Sequence, residues 1–142
     1  MEAFLGEWVA VKDNTDWTPF LRASGMDDEK IEYYKKLDQE NETIVSLTKD
    51  GDGFFFKSDC GPIKFSNKFQ LGKPYDVTMD EMSFKGVFKL EDGVLKDESM
   101  FAGSKTSNPS EKTVTTRTIS GDKMITVSTT AGISLTRTFK KK

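Results

Sequence analysis

The chain has 142 residues, enough for one domain with its own hydrophobic core, and a formal net charge of −2, which argues against holding nucleic acid through its phosphates. It contains no histidine, which excludes histidine-based triads, histidine zinc sites and histidine-ligated haem. The single cysteine, Cys60, cannot form an internal disulfide and fits a reducing compartment.

The chain opens Met1-Glu2-Ala3-Phe4 with no basic stretch leading into an apolar run, so no signal peptide is expected. No apolar run approaches the ~20 residues that span a bilayer, and a soluble, cytoplasmic protein is expected. Asp13 to Leu37 reads as two short helices. Asp16 or Thr15 can cap the first, Pro19 fits its first turn, and Ser24-Gly25 ends it. Asp27 can cap the second, which runs to about Leu37 with Ile31, Tyr34 and Leu37 along one stripe.

Beyond the helices the period changes to two. Ile63, Phe65, Asn67, Phe69 and Leu71 share a face, and so do Met82, Phe84, Gly86, Phe88 and Leu90. Such alternation marks antiparallel strands with one wet face. Asp50-Gly51-Asp52-Gly53, Leu71-Gly72-Lys73-Pro74, Glu91-Asp92-Gly93 and Ser120-Gly121-Asp122 are turn signals. Strands recurring about every ten residues indicate a meander, hence a sandwich or barrel. The first of these turns hints at a calcium loop but lacks the later glutamate, so no metal site is assigned. The polar stretch within 102–112 reads as a long hairpin loop. No repeat or linker interrupts the chain, and residues 1–142 are taken as one domain.

Two arginines break the strand pattern. Arg137 shares a face with Ile133, Leu135 and Phe139, and Arg117 with Thr113, Thr115 and Ile119. An arginine on an inward face costs several kcal/mol unless an anion meets it. That anion is either a protein carboxylate or a ligand. Arginine suits the second task because its rigid fork pairs with both oxygens of a carboxylate.

The opening Phe4-Leu5-Gly6-Glu7-Trp8, the mid-chain Phe69-Gln70-Leu71-Gly72-Lys73-Pro74-Tyr75-Asp76, and the closing Thr116-Arg117-Thr118 and Leu135-Thr136-Arg137-Thr138-Phe139 resemble the intracellular lipid-binding proteins. This family includes the fatty acid-binding and cellular retinoid-binding proteins. The resemblance covers nearly the whole chain. It implies an all-β fold, a ten-stranded antiparallel up-and-down β-barrel, flattened, with a helix-turn-helix lid at about 14–37. It implies a non-enzymatic carrier that binds and solubilises a long-chain fatty acid and needs no cofactor. Arg117 and Arg137 match the family's carboxylate-binding arginines, while Phe139 stands where the family has a tyrosine and so removes one hydroxyl donor.

The remaining expectations follow from that frame. Phe65, Phe69, Met82, Phe84, Phe88, Leu135 and Phe139 are candidate cavity-wall residues, and Ile31 and Tyr34 are candidate lid residues. Gly86 on an inward face leaves room. Lys30, Lys35 and Lys36 could touch an anionic membrane during ligand transfer, diluted by Asp27, Asp28, Glu29 and Glu32. The protein is expected to be a monomer without a nucleic-acid partner. The alternatives are a carrier of retinoic acid or another hydrophobic ligand, and a membrane-associated adaptor of the same fold.

Overall fold

Period-two alternation dominates the chain, and the fold follows it. The computed structural model describes residues 1–13, 15–23, 26–79, 82–102 and 112–142, with the side chains at 77–79, 82–84 and 101–102 left undescribed. Strand β1 (Gly6–Ala10) leads into helices α1 (Thr18–Ala23) and α2 (Asp28–Glu40). Nine strands follow: β2 (Thr43–Asp50), β3 (Gly53–Cys60), β4 (Ile63–Phe69), β5 (Pro74–Met79), β6 (Met82–Glu91), β7 (Val94–Ala102), β8 (Lys112–Ser120), β9 (Lys123–Thr130) and β10 (Ile133–Lys141).

All ten strands belong to one antiparallel sheet in the order β4-β3-β2-β1-β10-β9-β8-β7-β6-β5. Each strand after the helices pairs with its sequence neighbour except across β4 and β5, and β1 closes the meander by pairing with both β2 and β10. Strands β4 and β5 form the two ends of the sheet, so the barrel is nearly closed, as expected. Tight turns join several of the described strands. At Asp92-Gly93 both residues have positive φ, 51° and 80°, which is the type I′ geometry that matches strand twist.

Helix α2 begins where Asp27 accepts a hydrogen bond from the Lys30 amide at 2.9 Å. It runs to Glu40 rather than Leu37, because Asp38-Gln39-Glu40 contains no breaker. Asn41 ends it, with both its amide and its side-chain nitrogen donating to the Leu37 carbonyl. The expected stop at Ser24-Gly25 and most of the expected loop within 102–112 lie outside the described residues.

Inward side chains fill one part of the barrel with a core of Phe4, Trp8, Val45, Leu47, Phe69, Leu95, Met124 and Phe139. Trp8 keeps its indole N–H satisfied on the Phe4 carbonyl at 3.0 Å. Phe69 stacks on Phe88 with centroids 4.0 Å apart. Each such side chain contributes ~1.5–3 kcal/mol on leaving water. Other inward side chains line a cavity.

Candidate functional site

The inward face of β8 carries Thr113, Thr115 and Arg117, and all three reach a cavity of about 440 Å³. That volume lies within the ~300–1,000 Å³ of sites that enclose small ligands. Phe56, Phe65 and Phe88 form apolar wall on the sheet side, and Trp17, Phe20, Leu21, Met26 and Tyr34 close it from the helical segment. Cys60 also lies on the wall, with its thiol 3.7 Å from the Leu37 carbonyl.

At the polar end, antiparallel pairing sets Leu95 of β7 opposite Arg117 and Asp97 opposite Thr115. Asp97, Ser99, Thr115 and Arg117 therefore meet on one inner surface, with Tyr75 of β5 and Ser128 of β9 beside them. The Tyr75 hydroxyl donates to Asp97 Oδ1 at 2.8 Å. Thr115 and Ser128 share a hydrogen bond of 2.9 Å. The guanidinium carbon of Arg117 sits 5.2 Å from the Phe56 ring centroid and 5.9 Å from that of Phe88, within cation–π reach.

Each titratable group in this cluster is shifted first by loss of water. Burial pushes the Asp97 carboxyl up, opposed by the positive charge of Arg117 and the Tyr75 hydrogen bond. Burial pulls Arg117 down, and the charge of Asp97 holds it up. Burial and then Asp97 drive the Tyr75 phenol far up, so it remains a donor. Arg117 Nη1 is buried without a hydrogen-bond partner, and so is the hydroxyl of Thr126 on β9. Buried donors normally find partners, so an unmatched one on a cavity wall points to something that fills the cavity.

Arg137 stands differently. Thr126 is opposite Arg117 in one ladder and opposite Arg137 in the other, so the two arginines are two strands apart, ~10 Å at the usual strand spacing. Their side chains nevertheless part. Arg137 donates to Asp38 Oδ1 of α2 at 2.8 Å and stacks over Trp17 at 4.5 Å. It lines a separate hollow of about 70 Å³ with Asp38, Lys35 and Trp17, and Trp17 also lines the main cavity. The structure does not bring the two arginines to one point. A protein carboxylate already meets Arg137.

The wall expectations divide in the same way. Phe65, Phe88 and Tyr34 line the cavity. Phe69 and Phe139 are packed in the core, Ile31 is buried, and Leu135 is half-buried away from the cavity wall. The side chains of Met82 and Phe84 lie outside the described residues. The room expected at Gly86 is taken by Tyr75, whose hydroxyl oxygen would lie 2.8 Å from a β-carbon there. Sequence reasoning missed Asp97, although its signal is the same as that of Arg117: Leu95, Asp97 and Ser99 share one strand face.

A nearly closed β-barrel whose helical segment lines a mostly apolar cavity defines a small-ligand-binding barrel. Comparison with known proteins is specific. A liver-type fatty acid-binding protein of Takifugu rubripes is 30% identical over 95 residues, 66% of this chain and 72% of that protein. The solved fatty acid-binding protein of Schistosoma mansoni, in complex with arachidonic acid, superposes with a TM-score of 0.81 at 22% identity, covering 100% of this chain and 98% of that one. Fatty-acid-binding protein 1 of Echinococcus granulosus gives 0.80 at 19% identity over 99% and 98% of the two chains. No sequence-family profile matches the chain. This chain belongs to the fatty acid-binding proteins of the intracellular lipid-binding family.

Proposed function

We propose that this chain is a non-enzymatic carrier that holds one long-chain fatty acid, with its headgroup at Arg117 and its acyl chain along Phe56, Phe65 and Phe88 toward Tyr34. One observation carries the reading: an apolar cavity ends at an arginine with a buried N–H that no group among the described residues accepts. An acyl chain of ~15 methylenes offers ~12 kcal/mol on burial, before the costs of ordering and association, so the chain supplies most of the affinity. The arginine decides which end goes in.

Arg137 serves this carrier by tying the C-terminal end of α2 to β10 through Asp38, and so steadies the helices over the cavity. We place the protein in the cytoplasm as a monomer that releases ligand through transient membrane contact of its helices. No described helix is long and apolar enough to cross a membrane. Of the three lysines on α2 that could make such contact, Lys35 and Lys36 lie within 4.0 Å of Glu32 and Glu40 respectively, which weakens their pull on an anionic surface.

Native mass spectrometry of freshly purified protein, followed by lipid extraction, tests the reading. One fatty acid per chain is the expected result. A retinoid in its place would move the assignment within the family. Protein that remains empty after exposure to a panel of fatty acids and retinoids would overturn it.

A further inference from the structure

The described residues lining the cavity include one cation, Arg117, and one anion, Asp97. Among the described residues the cavity wall is therefore formally neutral before any ligand enters. Asp97 has its hydrogen-bond donor in Tyr75, and its charge faces Arg117 across adjacent strands. The neighbouring charges on β7 do not take part. Lys96 and Glu98 point to the other face, where Glu98 meets Lys112 of β8 at 2.8 Å. Opposite Asp97 on β6 is Phe88, and opposite it on β8 is Thr115. The other titratable groups on the cavity wall are Tyr34, Cys60 and Tyr75. Arg137, the next cation, is occupied by Asp38.

A fatty acid carboxylate entering this space brings a second negative charge beside one buried arginine. Two carboxylates sharing one such site do not both ionise, and one of them binds a proton. We propose that Asp97 couples fatty acid binding to proton uptake: each lipid carboxylate that reaches Arg117 is accompanied by one proton from solvent, taken up by Asp97. A lipid with an uncharged hydroxyl head makes no such demand and enters without a proton. The inference rests on the carrier reading and adds to it what sets headgroup preference and pH response. The sign follows from the balance. Because binding consumes a proton, fatty acid affinity rises as pH falls, whereas that of the alcohol stays level.

Titration calorimetry with oleate and with oleyl alcohol, in phosphate and in Tris near pH 7.5, measures the protons exchanged from the difference in buffer heats, and about one proton per oleate is expected. Oleyl alcohol should give no buffer dependence, and Asp97→Asn should abolish that of oleate. Equal heats for oleate in both buffers, or an undiminished proton count in Asp97→Asn, would overturn the proposal. If the variant does not fold, the wild-type profile decides: the Kd for oleate should rise about tenfold per pH unit through neutrality, and a flat profile refutes the coupling. If neither lipid binds, the carrier reading itself fails, and the coupling with it.

Discussion

Replacing each inward arginine by glutamine separates a group that serves the ligand from one that serves the fold. Arg117 reaches the cavity with a buried N–H that has no partner. Arg117→Gln removes a charge-assisted hydrogen bond to the ligand, ~1.5–3 kcal/mol, or roughly 10- to 150-fold in oleate affinity. Oleyl alcohol should lose less than about threefold, because a neutral head draws less from the guanidinium. Arg137 is already met by Asp38 at 2.8 Å and stacked on Trp17 at 4.5 Å. Its side chain and that of Asp38 retain 20% and 21% of their exposure, and Asp38 keeps the Thr43 hydroxyl at 3.2 Å. Arg137→Gln should therefore cost ~1–2 kcal/mol of stability, a few degrees in Tm, with oleate affinity changed less than about threefold. Calorimetric titration and thermal unfolding of the two variants side by side read both effects. An Arg137→Gln protein that loses tenfold or more in oleate affinity while Arg117→Gln binds normally would refute the assignment.

Three further outcomes test the surroundings of the site. A β-carbon at position 86 would lie 2.6 Å from the Glu98 carbonyl oxygen and 2.8 Å from the Tyr75 hydroxyl, so Gly86→Ala should cost ~1–3 kcal/mol in urea unfolding and displace Tyr75 from Asp97. The Asp27 cap holds the first turn of α2 through the Lys30 amide, and Asp27→Ala should cost ~1 kcal/mol, read as a lower midpoint in denaturant. Cys60 lies on the cavity wall, so saturating oleate should slow its modification by a thiol reagent, and an unchanged rate would place the ligand elsewhere.

Much of this was legible from local pattern. Strands reveal themselves through a period of two, and the residues around Phe65 and Phe88 show which face turns inward. Periodicity does not report depth along the barrel. Phe65 and Phe69 share a face of β4, yet one lines the cavity and the other packs into the core. Arg117 and Arg137 are both charges on inward strand faces, that of Arg137 more clearly apolar through Ile133, Leu135 and Phe139 than that of Arg117 beside Thr113 and Thr115. What distinguishes them is Asp38, which lies 99 residues from Arg137 in sequence and meets it only because α2 ends over β10. Asp97 was legible in principle, since its strand lies next in sequence to that of Arg117, but a lone carboxylate among 23 acidic residues attracts notice only once its neighbour is known. The lengthening of α2 to Glu40 escaped for a simpler reason: Asn41 is a weak stop signal until its side chain is seen to bond Leu37.

We propose that the lipid head lies at Arg117 and the acyl chain in the aromatic-walled cavity beneath the helices. A crystal structure of the oleate complex tests it directly. The expected result is a carboxyl group within hydrogen-bond distance of the Arg117 guanidinium, beside Asp97 and Tyr75, with the chain passing Phe56 and Phe65 toward Tyr34. A carboxyl group bound at Arg137 with Asp38 displaced, or left at the helices with the methyl end against Arg117, would contradict it.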